Sequence, residues 1–267
     1  MSTSRRAYFA WVVVCLIWGT TYLAIRIALE TMPPLLMAGI RWVTAGVVLI
    51  VILKAQGARF PGPPAWSGLA IVGILLLGLG NGGVVWAEQT VPSGLTAVLV
   101  AMVPAWTVGI DALWLGGEAL DRRKILGLSI GFAGIVLLVW PELRSMPPLS
   151  RGPGAGDPAG GRGLDFFSGV LATQVACLGW SLGSVQGRRR GLGHARDESV
   201  LAGAALQMLF GGLFLLFVGL AMNEAPRFDL NLRTGSALAY LVFVGSIGGF
   251  TAYAYALKYL PLAVVSL

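Results

Sequence analysis

The sequence predicts an all-α polytopic membrane protein: two inverted five-helix repeats, with eight complete transmembrane helices and the start of a ninth in this chain. Three observations predict it. Of 267 residues, 56% are hydrophobic and only 12% charged, about half the charged share of roughly 25% in an ordinary soluble domain. The uncharged runs 7–25, 60–87, 89–110, 125–141, 166–187, 199–223 and 234–257 approach or exceed the ~20 residues a helix needs to cross the hydrocarbon of a bilayer. Segments of the second half also align in order with segments of the first, after an odd number of spans.

The first span, 8–29, follows Arg5 and Arg6. The stretch "SRRAYFA" (4–10) has the form of a twin-arginine export signal. Its apolar run is longer than a signal peptide's and no small-residue cleavage site follows, so an attached helix is expected. The second span, 35–54, is interrupted only by Arg41. The third, 66–88, contains "GLGNGG" (78–83), which spells a dinucleotide-loop pattern. Such a loop needs a strand before it and an acidic residue about 20 positions on. Here it lies inside an uncharged run and reads as the small-residue face that lets membrane helices approach closely.

The fourth and fifth spans, 93–116 and 123–140, precede residues 141–166, where five Pro and six Gly read as a flexible linker. Spans 167–187, 199–222 and 235–257 follow, with a stub from 261. The expected organisation is therefore a first repeat at 1–140, the linker at 141–166, and an incomplete second repeat at 167–267.

The net charge of +7 excludes a nucleic-acid partner, because the basic residues are distributed by loop and form no single surface. Twelve of the nineteen Lys and Arg fall on one side, from Arg5 and Arg6 through Lys54, Arg122 and Arg188 to Lys258. The positive-inside rule then makes the N-terminus cytoplasmic. Cys15 and Cys177 sit in separate spans and the single histidine, His194, in a polar loop. That leaves no material for a disulfide framework, a metal site or catalytic residues, and no cofactor is expected.

"CLIWGTTYLAIR" (15–26) and "CLGWSLGSVQGR" (177–188) share Cys, Leu, Trp and Arg at one offset. "RWVTAGVVLIVIL" from Arg41 aligns with "QMLFGGLFLLFV" from Gln207, matching Gly46 with Gly212. "AEQTVP" (87–92) meets "ALKYLP" (256–261). A copy that begins after five spans starts on the opposite side of the membrane, which makes the repeat inverted.

Polar and aromatic residues at membrane depth are the functional candidates. Near mid-depth stand Trp18, Thr21, Tyr22, Asn81, Trp86, Trp106, Trp180, Ser184, Tyr253 and Tyr255. A cavity lined this way suits an amphipathic organic solute, although core packing accounts for each residue as well. Trp11, Trp66, Trp114 and Trp140 read instead as an interfacial belt. Arg26 is placed to snorkel or to pair with Glu30. Arg41 is the stronger functional candidate, because its repeat partner Gln207 is also polar. Asp111 and Glu88 are candidates for coupling or gating; neither lies at mid-depth, which weighs against proton coupling, so a proton or no coupling ion remains open.

The segments "IWGTTYLAIRIALETMPPLLMAGIRWVTAG" (17–46), "GNGGVVWAEQTVPSGLTAVLVAMVP" (80–104), "LGWSLGSVQGRR" (178–189) and "LGGEALDRRKILGLSIGFAGIVLL" (115–138) resemble the EamA-type transporters of the drug/metabolite transporter superfamily. They are most similar to bacterial inner-membrane permeases of that group. The resemblance implies ten helices in two inverted repeats, alternating access to a central cavity, and export of amino acids, other metabolites or drugs, by a monomer or homodimer in the bilayer. By position it implies a cavity drawing on Trp18, Tyr22, Arg41, Asn81, Trp86 and Trp180, to which the mid-depth aromatics Trp106 and Tyr253 and the Arg41 repeat partner Gln207 are added.

A sugar-phosphate or nucleotide-sugar exchanger would need several deep basic residues, and only Arg41 is close. A membrane enzyme would need paired mid-depth acids or a Ser–His arrangement. A non-transporting sensor or assembly subunit stays open. In the repeat register Leu267 corresponds to Val98, so about 42 further residues, as from Val98 to Trp140, are expected to complete the second repeat.

Overall fold

The computed structural model describes residues 3–113, 121–145, 158–190 and 199–265, and among them every regular element is helical. The helices are α1 (Thr3–Ala28), α2 (Pro34–Ala55), α3 (Pro63–Ala87), α4 (Ser93–Leu113), α5 (Arg122–Ser145), α6 (Pro158–Arg189), α7 (Val200–Ala221), α8 (Leu232–Tyr259) and the short α9 (Leu262–Val265). Seven of these, α1 to α4 and α6 to α8, are long and apolar enough to cross a membrane. The apolar part of α5 is shorter, Ile125–Leu137, and its Ile125, Leu126, Ile130, Phe132 and Leu137 are exposed.

Local chemistry accounts for the boundaries. Pro34 and Pro63 open α2 and α3, where a missing N–H costs nothing and the ring presets φ. Asn231 and Thr234 form a reciprocal capping box at the start of α8, the Thr234 N–H reaching Asn231 Oδ1 at 3.0 Å. Just past α2 and α7 the chain turns through the left-handed region at Gly57 (φ 72°) and Asn223 (φ 56°), the usual way a helix end satisfies its last carbonyls. Two helices contain wider π-helical turns, α3 over Ile74–Asn81 and α8 over Leu241–Gly248.

The predicted linker at 141–166 is helical at both ends. α5 continues through Pro141 to Ser145 and α6 begins at Pro158. At the first helical position Pro158 gives up only an N–H that has no partner inside the helix, while Pro141 sacrifices one interior bond. Residues 146–157, together with His194, Trp114 and Glu118, lie outside the described residues. The expected Arg26–Glu30 pair is also corrected. Glu30 takes both bonds from Arg233, at 2.8 and 2.9 Å, while Arg26 donates to the Glu88 carbonyl at the end of α3.

At the centre α2 crosses α7, flanked by α1 on α8 and α3 on α6. Where α2 meets α7, Gly46 and Gly212 each face backbone of the other helix: a Cβ on Gly46 would stand 2.8 Å from the Leu209 nitrogen, and one on Gly212 2.6 Å from the Val43 nitrogen. Lipid supplies no hydrophobic drive between helices, so backbone proximity of this kind is what holds such a crossing.

The N-terminus of α2 is capped from a distance. Pro33 offers no side-chain bond, and the buried Glu224, beyond α7, accepts the Leu36 N–H at 2.8 Å. Burial raises the Glu224 carboxyl above its ordinary value, against the pull of the Leu36 and Leu35 N–H groups and Arg227. A carboxyl raised by folding stabilises the fold fully below its unfolded value, about 4, and that stabilisation is lost as pH rises and the group ionises in the fold. The melting temperature of the protein is therefore expected to fall, relative to Glu224→Gln, as pH is raised above about 4. Glu224→Ala is expected to lose about 1 kcal/mol, as for a missing helix cap. Parallel pH profiles of the protein and Glu224→Gln would overturn the assignment.

Candidate functional site

A cavity of about 390 Å³ opens between α1, α2, α3, α4, α6 and α8. α1 supplies Trp18, Thr21 and Tyr22, α2 supplies Arg41 and Trp42, α3 supplies Asn81, α6 supplies Cys177 and Trp180, and α8 supplies Tyr253. Its floor is aromatic. The rings of Trp18 and Trp180 meet edge to face at 5.1 Å, and Tyr253 lies 5.3 Å from Trp18 and 5.1 Å from Trp180. Aromatic pairs favour such edge and tilted contacts because ring edges are positive and faces negative. Tyr253 is tied down by a 2.6 Å bond between its hydroxyl and Ser184 Oγ.

Beyond this floor lies a second, smaller cavity of about 40 Å³, which Gln207, Arg188 and Lys258 line together with Phe250 and Tyr253. Tyr253 thus borders both spaces. On this far side Arg188 donates to the Leu260 carbonyl at 3.0 Å.

The polar wall of the main cavity is built around Arg41. Its Nε donates to Ser246 Oγ at 2.7 Å, and its guanidinium lies 4.6 Å from the Trp42 ring centre. Only 2% of the residue is exposed, and Nη1 is buried without an acceptor among the described residues. The π-helical turns of α8 set this up. They bring Gly245 so close that a Cβ there would sit 3.1 Å from Arg41 Nη2. They also turn the Gly245 carbonyl toward Trp18, whose Nε1 donates to it at 3.2 Å. Trp42 in turn donates to Asn81 Oδ1 at 2.7 Å.

Seven of the sequence-predicted residues, Trp18, Thr21, Tyr22, Arg41, Asn81, Trp180 and Tyr253, meet at this cavity. The others lie elsewhere. Trp86 is 37% exposed on the outside of α3, because its helical phase points it away from the bundle. Trp106 spans from α4 to α6, donating to Gln174 Oε1 at 3.1 Å. Gln207 lines the small cavity. Asp111 pairs with Arg189 at 2.9 Å near the end of α6. Glu88, just past α3, is fully buried, and neither carboxylate oxygen has a hydrogen-bond partner among the described residues.

Sequence reasoning missed Trp42 and Ser246. Trp42 adjoins Arg41 but looks like any apolar residue of a span. Ser246 sits in the "GSIGG" stretch, where nothing marks it as an arginine ligand until α8 is laid against α2.

The profile of the EamA-like transporter family matches residues 5–140 and 167–267. The chain is 34% identical over 244 residues to YedA of Escherichia coli (strain K12), described as an uncharacterized inner membrane transporter, covering 91% of this chain and 71% of that protein. It is 28% identical over 234 residues to the transporter YvbV of Bacillus subtilis (strain 168), covering 87% of this chain and 69% of that one. In fold it is similar to a solved crystal structure with a TM-score of 0.66 at 21% identity, covering 99% of this chain and 84% of that one.

Proposed function

The chain belongs to the EamA-like transporter family and is a membrane transporter, and from that premise we propose that it exports a small amphipathic organic solute through the aromatic cavity by alternating access. The observation that carries this reading is the cavity itself: Trp18, Trp180 and Tyr253 enclose one side of it and the buried guanidinium of Arg41 forms another. An apolar pocket with a few convergent polar groups is the form that small-molecule sites take. Tyr253 separates the main cavity from the small one on the far side, so opening that contact would exchange access between the two membrane faces.

The reading includes two inverted repeats, at 1–140 and 167–267, joined by the Gly- and Pro-rich segment. Features at matched positions support it. The left-handed residues Gly57 and Asn223 follow α2 and α7, and π-helical turns interrupt both α3 and α8. The helix pairs agree, since α2 on α7 maps onto itself under a two-fold exchange and α1 on α8 maps onto α6 on α3. The loop charges favour a cytoplasmic N-terminus, and the inner-membrane relative favours a bacterial inner membrane. As a secondary transporter the protein would have no catalytic centre. Glu88 would carry the coupling proton, and Asp111, paired with Arg189, would act as a gate contact.

Efflux and uptake in vesicles, over amino acids, organic anions and cationic dyes with and without a pH gradient, test the function. Solute movement abolished by Trp18→Ala in a folded protein is expected. Indifference to every solute would favour a sensor or assembly subunit instead. A reporter fused after Asn223 is expected outside the cytoplasm, and a cytoplasmic signal there would overturn the inverted topology.

A further inference from the structure

Arg41 is a permanent cation in the wall of the cavity, and its surroundings leave both of its Nη groups without a hydrogen bond among the described residues. Nε is occupied by Ser246, Nη2 lies against α8 at Gly245, and one guanidinium face rests on Trp42. Nη1 is buried with no acceptor. Buried charged groups of this kind are paired or hydrogen-bonded, because an unpaired one forfeits its hydration. Glu88 acts on Arg41 through space: among the described residues neither of its oxygens is bonded, and it does not line the cavity.

Resting on the reading of this space as the transport cavity, we propose that the unbonded Nη end of Arg41 is the anchor for the carboxylate of a monoanionic organic acid whose apolar or ring portion lies among Trp18, Trp180 and Tyr253. A carboxylate supplies the missing acceptor and the missing counter-charge in one group, and a charge-assisted bond in a dry site is among the stronger polar contacts. The remaining wall agrees. Among the described residues no Asp or Glu lines the cavity, so a cation would find no carboxylate to bind beside Arg41. The ammonium of a zwitterion would likewise have no carboxylate partner. A polyanion is no better served, since among the described residues Arg41 is the only Lys or Arg in the lining.

Three probes of one shape and different charge test this on the purified full chain in nanodiscs: phenylacetate, its neutral amide phenylacetamide, and 2-phenylethylammonium, each titrated calorimetrically at pH 7. Phenylacetate is expected to bind at least tenfold more tightly than the amide, with the ammonium weakest. Arg41→Gln is expected to bring phenylacetate down to the level of the amide, and Arg41→Lys to keep part of the difference. Should Arg41→Gln fail to fold, the ranking of the three probes on the unmutated protein decides the matter alone. Equal binding of anion and amide, or preference for the ammonium, overturns the anchor while leaving the cavity in place. Absence of binding by all three, or binding that Trp18→Ala leaves unchanged, overturns the cavity reading and the anchor together.

Discussion

Replacing Glu88 with Gln is expected to raise the melting temperature while cutting the response of transport to a pH gradient at least tenfold. The carboxyl is fully buried and both of its oxygens lack partners among the described residues. A buried polar group left without a hydrogen bond costs about 1–3 kcal/mol, and a charged one more. Gln keeps the shape and removes the charge, so a gain of about 1–2 kcal/mol is expected, or roughly 2–4 °C per kcal/mol in a protein of this size. Arg26, which donates to the Glu88 backbone carbonyl, and Arg41 both act on the carboxyl electrostatically. Moving the Glu88 proton therefore changes the charge balance beside the cavity without touching the solute. A residue that destabilises the fold and is nonetheless present is what a stability–activity trade-off produces. Transport by Glu88→Gln that responds to the gradient as before would remove Glu88 from the coupling role, whatever its effect on melting.

Gly212→Val is expected to abolish assembly of the bundle, and Gly212→Ala to lower its melting temperature by several degrees. A Cβ at Gly212 would stand 2.6 Å from the Val43 nitrogen and 3.0 Å from the Trp42 carbonyl carbon. Both are backbone atoms, so neither can move aside as a side chain would. In an isolated helix, Ala in place of Gly is favourable by about 1 kcal/mol, whereas overpacking costs about 1–3 kcal/mol. A net loss for Gly212→Ala therefore measures the α2–α7 contact directly. Gly94, with nothing within 4 Å of its ideal Cβ, is the control. Gly94→Ala is expected to be neutral or slightly stabilising. Normal yield and melting of Gly212→Val by size-exclusion and thermal scans would show that α2 and α7 can separate without loss.

Arg41 and Gln207 illustrate how far sequence reading reaches. Both are polar residues in otherwise apolar spans, at positions that the proposed repeat register pairs, a property legible in the chain. Their environments differ: Ser246 and Gly245 of α8 receive Arg41, while Gln207 faces the small cavity, which it lines together with Phe250, Tyr253 and Lys258 of α8. The same contrast separates the tryptophans. Trp18 and Trp180 meet across the bundle, Trp106 serves the α4–α6 contact, and Trp86 faces outward. All four were equally plausible as cavity residues from depth alone.

The sequence by itself determined the helical class, the order and approximate limits of the seven helices long and apolar enough to cross a membrane, and the family. A bilayer permits only segments that satisfy their own backbone bonds over a set length, and that constraint is one-dimensional and so is written in the uncharged runs. Only the tertiary structure decided which faces of those helices turn inward. In lipid the outer face of a helix is as apolar as the inner one, so periodicity does not mark the buried side as it does in water. The π-helical turns at Ile74–Asn81 and Leu241–Gly248 shift the helical phase again. The site at Arg41 therefore came into view only once α2 and α8 were packed together.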